Sequence, residues 1–177
     1  MTREYLFAGF GGQGLLFSGK VLAYKGLTEG KNVSWLPSYG PEMRGGTANC
    51  SVIISDTPVG APIISNPDVL VAMNNPSLDK YENAVRKGGI ILVDSSLIER
   101  KVSRDDVDVY YVPATRIANE NGMNTLANMI LCGKLLEVLG DYNDDTVSKA
   151  LGKCISARHA DLYDLNLKAL EIGRNYR

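Results

Sequence analysis

The sequence of 177 residues lacks the residues that several common functional sites require. Its three cysteines, Cys50, Cys132 and Cys154, are far apart and odd in number, so a disulfide framework is not expected. They also lack the close spacing of an iron–sulfur site, which usually takes four thiolates. With one histidine, His159, and no metal-binding motif, the chain is expected to hold no metal ion and no catalytic triad. We therefore assign no catalytic residue to it.

Strong charge and long apolar runs are also missing. The 19 basic and 20 acidic residues give a net charge of -1 without a basic run, so nucleic acid is not an expected partner. No apolar stretch approaches the roughly 18 residues that a membrane helix needs, and the first residues do not resemble a secretory signal. We therefore expect a cytoplasmic protein that does not bind a membrane. The 45% hydrophobic content and the length are typical of one globular domain over residues 1–177.

The hydrophobic pattern is that of an α/β domain. Strands are predicted at residues 4–9, 32–36, 47–55, 69–73, 90–93 and 109–112, and helices at 14–29, 76–86, 125–139, 144–151 and 162–176. Only a loop separates the second strand from the third, so we expect these two strands to pair antiparallel. The pattern predicts a three-layer α/β/α, Rossmann-like domain with a mixed, mostly parallel sheet and a helical C-terminal tail.

A glycine-rich turn, Gly-Phe-Gly-Gly-Gln-Gly at residues 9–14, joins the first strand to the first helix. Glycines permit a tight turn, and a helix N-terminus offers free N–H groups to an anion. A tight turn without any ligand remains an alternative. An NAD site usually has an acidic residue at the end of the second strand, but here the nearest acid, Glu42, lies within the next loop. The NAD interpretation is therefore disfavoured.

The same region contains an incomplete nucleotide-triphosphatase motif. Residues 14–20 have the spacing GxxxxGK, but Val21 follows where a Ser or Thr hydroxyl should bind magnesium. Leu15, Leu16 and Phe17 would also occupy the phosphate loop, although they suit the apolar face of a helix. ATPase activity is therefore not expected.

The loop after the second strand is the most distinctive segment, with the sequence SYGPEMRGGTAN at residues 38–49. Together with the glycine-rich turn, the Asn74-Asn75-Pro76 turn and residues 92–96 and 124–133, it resembles the gamma subunit of 2-oxoacid:ferredoxin oxidoreductases. The resemblance is closest to the 2-oxoglutarate:acceptor group, and the indolepyruvate oxidoreductase beta subunit belongs to the same superfamily. The whole chain is accordingly interpreted as one gamma-type catalytic domain.

This resemblance implies a multisubunit enzyme that converts a 2-oxoacid, coenzyme A and oxidised ferredoxin to acyl-CoA, carbon dioxide and reduced ferredoxin. Thiamine diphosphate, magnesium and iron–sulfur clusters are then expected on partner subunits (alpha, beta and a ferredoxin-like delta), with ferredoxin or another acceptor as a further partner. This chain is expected to bind no cofactor by itself and to be inactive alone, with coenzyme A as a co-substrate. Pyruvate, branched-chain oxoacids and indolepyruvate are alternative substrates. A stand-alone nucleotide- or coenzyme-binding module is the alternative of another class.

We hypothesise that the two loops form a ligand-binding or active-site wall at the carboxyl ends of adjacent strands, where open α/β sheets bind ligands. The backbone amides of residues 11–14 would face an anionic group of coenzyme A or a partner loop. Arg44 would supply a cation, and Glu42 would orient it; an ion pair between subunits is the alternative for both. Tyr39 is either a substrate contact or an interface anchor. The predicted wall comprises Gly11, Gly12, Gln13, Gly14, Ser38, Tyr39, Glu42, Arg44, Gly45 and Gly46.

Structural roles are expected for several other polar side chains. We predict that Asn75 is a helix N-cap before Pro76. One of residues 94–96, after the fifth predicted strand, is expected to have a capping role; lining the rim of the same site is the alternative. His159 is expected to be a surface or capping histidine rather than a general base, and Cys50 is expected to pack in the core.

Overall fold

Residues 1–38 and 47–177 are described in a computed structural model. Six strands form a sheet: β1 (Thr2–Phe10), β2 (Asn32–Ser38), β3 (Thr47–Ser55), β4 (Val69–Ala72), β5 (Ile90–Asp94) and β6 (Asp108–Val112). The α-helices are α1 (Leu15–Thr28), α2 (Asn75–Tyr81), α3 (Ala114–Glu120), α4 (Ala127–Val138), α5 (Asp144–Cys154) and α6 (Ala160–Asn175). Single 3₁₀ turns follow α2 and precede α6.

The sheet is mixed and mostly parallel, as predicted. Its strand order is β2-β3-β1-β4-β5-β6. Strands β1, β4, β5 and β6 are parallel, whereas β3 runs antiparallel to both of its neighbours, β1 and β2. The predicted antiparallel pairing of the second and third strands is therefore confirmed.

Helices cover both faces of the sheet because the central strand is apolar on both sides. Tyr5 and Phe7 of β1 pack in a large hydrophobic cluster with residues of α1, α4, α5 and α6. Leu6 and Ala8, which point to the opposite face, pack in a second cluster with Leu78 of α2. Alternation along one strand thus produces the three layers of the α/β/α architecture.

Helix α4 is apolar almost all round because other elements of this chain enclose it. Its residues 127–133 are all buried, and α6 crosses it at Gly133 and Gly173. A Cβ atom at Gly133 would lie 2.0 Å from the carbonyl oxygen of Leu170, and one at Gly173 would lie 1.8 Å from that of Ile130. The two glycines therefore permit the close approach of the helix backbones, and α4 is a core helix.

A buried lysine joins α1 to the segment before α5. Lys25 is 1% exposed, and its Nζ lies 2.6 Å from Glu29 Oε1 and 2.9 Å from Asp141 Oδ2. Glu29 Oε1 also accepts a hydrogen bond from the Thr146 hydroxyl at 2.9 Å. The lysine charge is compensated by two carboxylates, which a buried charge requires.

The structure differs from the sequence predictions around two helices. The N-cap of α2 is Asn74, whose Oδ1 accepts from the Ser77 N–H at 2.8 Å, so the prediction of Asn75 as the cap is wrong. Helix α3 was not predicted, because its sequence ATRIANE is short, polar and without a side-chain N-cap. None of the helices in the described ranges is long and apolar enough to cross a membrane.

We expect Gly133→Ala to lower the free energy of unfolding by about 2–4 kcal/mol, because the new methyl group forces α4 and α6 apart. The matched control is Gly152→Ala in α5, where a Cβ meets no atom within 4 Å. The control should leave stability unchanged or raise it by up to about 1 kcal/mol. Urea denaturation measures the free energy of unfolding of both variants. Equal values for Gly133→Ala and Gly152→Ala would contradict the close crossing of α4 and α6.

Stability should also fall in alkali, because burial raises the pKa of Tyr5 and of the Cys50 and Cys132 thiols to about 12. Their ordinary values are 10.0 for tyrosine and 9.0 for cysteine, so the unfolded chain loses these protons first. The free energy of unfolding should therefore decrease as pH rises from about 9 to 12. Urea midpoints across this range measure the slope, which Tyr5→Phe should make shallower; a constant midpoint would exclude this linkage.

Candidate ligand site at the carboxyl edge of the sheet

The glycine-rich loop after β1 is held in a conformation that requires glycine at two positions. Gly12 and Gly14 have φ angles of +91° and +76°, in the left-handed region that L side chains rarely adopt. A Cβ atom at Gly14 would also lie 2.5 Å from Nδ2 of Asn128. The chain therefore turns abruptly from β1 into α1, as the sequence predicts.

Gln13 ties this loop to the end of β4. Its Oε1 accepts from the Phe10 N–H at 2.6 Å, and its Nε2 donates to the Met73 carbonyl at 3.0 Å. Gln13 therefore fixes the position of the loop relative to the adjacent parallel strand. Among the described residues, Gln13 makes only these structural contacts within the predicted wall.

The loop lies at the point where the chain direction across the sheet reverses. From β1 the chain passes through α1 towards β2 on one face, and from β4 it passes through α2 towards β5 on the other. Open α/β sheets bind ligands in the crevice that this reversal creates at the carboxyl ends of the strands. The crevice here lies between the ends of β1 and β4.

The first turn of α1 presents hydrogen-bond donors at this edge. The first bond into the helix is from the Ser18 N–H to the Gly14 carbonyl at 3.0 Å, so the N–H groups of residues 15–17 have no acceptor within the helix. The first turn contains no acidic side chain that would compete for these donors. The arrangement suits an anionic group.

Asn128 of α4 fixes the start of α1. Its Nδ2 donates to the Gly14 carbonyl at 3.0 Å and to Ser18 Oγ at 3.1 Å, and Ser18 Oγ itself donates to the same carbonyl at 3.2 Å. Asn128 is not among the predicted site residues. The sequence does contain an indication of its role: Asn128 lies in an otherwise apolar helix, and a buried amide needs hydrogen-bond partners.

The second loop begins and ends at the same edge of the sheet. Ser38, exposed at the end of β2, is the register partner of Asn49, and Phe10 is the register partner of Thr47. The prediction that the loops follow adjacent strands is wrong, because β3 returns antiparallel and separates β2 from β1. Of the predicted wall, Gly11, Gly12, Gln13, Gly14 and Ser38 are described; Tyr39, Glu42, Arg44, Gly45 and Gly46 lie outside the described residues.

The remaining polar residues of this edge have mainly structural contacts. Asp94 is fully buried at the end of β5, and its carboxylate accepts from the Thr115 hydroxyl at 2.6 Å and from the Ser96 N–H at 3.1 Å. The predicted capping role within residues 94–96 is thus filled by Asp94. His159 is exposed at the N-cap position of α6 without a side-chain capping bond, and Cys50 is fully buried.

The described residues do not fit either of the two nucleotide sites considered in the sequence analysis. Residues 15–18 belong to α1 and cannot form the extended phosphate loop of a triphosphatase. Strand β2 ends at Ser38, which offers no carboxylate to a ribose. Within residues 1–38 and 47–177, no group of three or more His, Cys, Asp and Glu side chains could hold a metal ion.

We expect Asn128→Asp to destabilise the chain by about 1–3 kcal/mol, because the carboxylate places a charge against the Gly14 carbonyl and cannot donate to it. Amide hydrogen exchange at residues 15–18 should accelerate. Asn119→Asp, at an exposed site in α3, is the control and should change stability by less than about 0.5 kcal/mol. Unaltered exchange in the Asn128 variant would show that this amide does not fix the loop.

Two curated relatives resemble most of the chain. Subunit VorA of the ketoisovalerate oxidoreductase of Methanothermobacter marburgensis is 40% identical over 170 residues, which cover 96% of this chain and 35% of VorA. Subunit KorC of the 2-oxoglutarate synthase of Methanocaldococcus jannaschii is 36% identical over 154 residues, which cover 85% of this chain and 82% of KorC. The chain thus spans about a third of the length of the VorA relatives.

A solved structure and a family match agree with these relatives. The gamma subunit of a keto/oxoacid ferredoxin oxidoreductase from Geobacter sulfurreducens PCA superposes with a TM-score of 0.81 at 30% identity, covering 97% of this chain and 95% of that subunit. The match to the family described as pyruvate ferredoxin/flavodoxin oxidoreductase extends over residues 4–176. The chain therefore belongs to the pyruvate ferredoxin/flavodoxin oxidoreductase family.

Proposed function

We propose that this chain is the gamma subunit of a 2-oxoacid:ferredoxin oxidoreductase and that it forms one wall of the site where coenzyme A and the oxoacid react. The observation that carries the proposal is the glycine-rich loop at the β1–β4 crevice, with the free N–H groups of residues 15–17 beside it. Family membership supplies the reaction class, oxidative decarboxylation of a 2-oxoacid.

The proposed substrate is 2-oxoglutarate. KorC, which the chain covers over most of its length, is a subunit of a 2-oxoglutarate synthase. VorA, with slightly higher identity, is a subunit of a ketoisovalerate oxidoreductase, so a branched-chain oxoacid is the second candidate. Both candidates are 2-oxoacids, so the proposed role of this chain is the same for either substrate.

The reactive cofactors are assigned to partner subunits. Thiamine diphosphate with magnesium supplies the decarboxylation chemistry, and iron–sulfur clusters carry the electrons to ferredoxin. The described residues do not fit either group, since they contain no candidate metal cluster and the three cysteines are free and separate. The partners required are therefore the thiamine-binding alpha and beta subunits and a ferredoxin-like delta subunit.

The role of this chain is to bind and orient. The free backbone amides of residues 15–17, together with the adjacent glycine-rich loop, face an anionic group of coenzyme A, where the positive end of the α1 dipole favours negative charge. Gln13 and Asn128 hold that surface in place through Met73 and Gly14. Arg44, in the sequence segment between β2 and β3, supplies a guanidinium to a phosphate or carboxylate. Positioning of this kind lowers the reaction barrier because the reactants meet already oriented.

We expect Arg44→Ala in the assembled complex to lower kcat/KM for coenzyme A about ten- to a hundredfold, since a charge-assisted hydrogen bond contributes about 1.5–3 kcal/mol. Steady-state kinetics with varied coenzyme A measures the effect. Arg116→Ala, at an exposed position beside Glu120, is the control and should stay within about twofold.

Two results would contradict the proposed role of Arg44. If acyl-CoA formation and assembly both remain at the wild-type level, the proposed role of Arg44 is wrong. If the complex dissociates while KM for coenzyme A in the remaining complex is unchanged, the ion pair between subunits accounts for Arg44 instead.

A further inference from the structure

Strand β2 forms one edge of the sheet, since β3 is its one partner strand among the described residues. An edge strand presents a row of main-chain N–H and C=O groups to which another strand can bind, and proteins usually protect such a row with charged side chains or a covering element. Residues 32–38 contain no Asp, Glu, Lys or Arg, and none of them is buried. The β2 edge therefore lacks the usual protection by charge.

The hydrogen-bond register shows which main-chain groups of β2 point outward. The Asp56 N–H donates to the Met1 carbonyl at 3.1 Å, so even-numbered residues of β3 bond to β1 and odd-numbered ones bond to β2. The odd-numbered residues of β3 have even-numbered register partners in β2. Val33, Trp35 and Pro37 therefore direct their main-chain groups away from the sheet. Proline, which has no N–H to offer to β3, occupies one of these outward positions.

These outward groups are complementary to those of a second β2 strand. In an antiparallel pair centred on Trp35, each Trp35 lies opposite its counterpart, and each Val33 lies opposite Pro37 of the other copy. The two Trp35 residues then exchange two N–H···O=C bonds, and each Val33 N–H donates to a Pro37 carbonyl. Because Pro37 has no N–H, every outward N–H of residues 32–38 is paired in both strands. No like charges meet across the pair, since the strand carries none.

Apolar side chains on both faces of the sheet border this edge. Trp35 and Leu36 point to opposite faces, and they are 40% and 39% exposed. The Trp35 indole leans against α1, where a Cβ atom at Gly19 would lie 3.2 Å from its Nε1. The exposed part of the ring is therefore apolar surface that a second strand and its helix can cover.

The flank of α1 nearest this edge carries an exposed leucine. Gly26 faces the sheet at β2 and β3, so its neighbours Lys25 and Leu27 lie on opposite flanks of the helix. Lys25 pairs with Asp141, which lies beside Tyr5 of β1. Leu27, which is 52% exposed, thus lies on the flank towards the edge of β2.

The position of α1 leaves room for a second copy. Gly19 and Gly26 face residues of both β2 and β3, so the helix lies over these two strands. Across a β2–β2 pair, the two α1 axes would be about 10 Å apart, which is two strand spacings. Packed helices have this separation. The second copy therefore brings an α1 helix against the flank that carries Leu27.

We propose that two copies of this chain associate through their β2 strands, antiparallel about a two-fold axis at Trp35, and so join two six-stranded sheets into one. The interface is isologous, because the same strand and the same flank of α1 contribute from each copy. Main-chain hydrogen bonds supply the register, and the indoles and Leu27 supply the apolar contact.

The first test removes an outward hydrogen-bond donor. Sedimentation equilibrium of the purified full-length chain should give twice the 19.2 kDa mass of one chain. Val33→Pro removes an N–H that points away from β3, so the chain should fold while the dissociation constant of the dimer rises at least about tenfold. Two hydrogen bonds are lost in each dimer.

The matched control is Val109→Pro on β6, the strand at the opposite edge of the sheet. The Asp108 N–H donates to the Gly89 carbonyl at 2.9 Å, towards β5, so the N–H of Val109 points outward in the same way. The dissociation constant of this variant should stay within about twofold of the wild-type value. Urea midpoints of both proline variants establish that the chain is folded.

A second variant keeps the test decisive if Val33→Pro does not fold. Leu36→Lys retains every main-chain bond and places two like charges diagonally across the two-fold axis, so it should also raise the dissociation constant at least about tenfold. Leu97→Lys, at a position 41% exposed after β5, is the control and should leave the dissociation constant within about twofold.

Fluorescence places the interface at β2, because Trp35 is the one tryptophan in the sequence. Acrylamide quenching of its emission should decrease as the chain concentration rises through the dissociation constant. In Val33→Pro the same decrease should appear only at concentrations at least about tenfold higher.

Four results overturn the proposal. They are a monomeric wild-type chain, a dimer whose dissociation constant neither Val33→Pro nor Leu36→Lys raises, equal weakening by Val33→Pro and Val109→Pro, and a dimer that leaves Trp35 quenching unchanged. A chain that is monomeric alone but has a shielded Trp35 in the assembled complex assigns the edge to a partner subunit instead of a second copy.

Discussion

The Gly14 carbonyl is the hydrogen-bonding centre on which the rest of the site depends. The Ser18 N–H, the Ser18 hydroxyl and the Asn128 amide all donate to it. These bonds fix the peptide that begins α1, and with it the direction in which the free amides of the first turn point. Gln13 adds a link from the same loop to β4, so loop, helix and sheet form one rigid surface.

The sequence predicted the features that depend on local patterns. Short apolar runs bounded by turn residues identified the six strands, and the glycines of residues 9–14 identified the turn into α1. The order of the strands depends on long-range pairing, so the position of β3 between β2 and β1 was not predicted. The short helix α3 was missed because its polar sequence has neither a marked apolar face nor a cap.

The contacts that sequence reasoning missed join residues distant in the chain. Asn128 is separated from Gly14 by 114 positions, and Lys25 of α1 pairs with Asp141 in the segment between α4 and α5. A lysine in a helix ordinarily lies at the surface. The burial of Lys25 could therefore be recognised only from the structure, which brings the carboxylates of Glu29 and Asp141 beside it. The glycine-rich loop of the candidate site was predicted from its residues. The bonds that hold the loop rigid were not.

The central claim is that this polypeptide binds and orients reactants while another polypeptide carries the reactive cofactor. The most direct test compares the rate of oxoacid oxidation by the purified chain, free of thiamine and metal, with the rate of the assembled complex. The account predicts acyl-CoA formation and acceptor reduction only after the thiamine-binding subunits are added. Oxidation of 2-oxoglutarate at the full rate by the chain alone would contradict it.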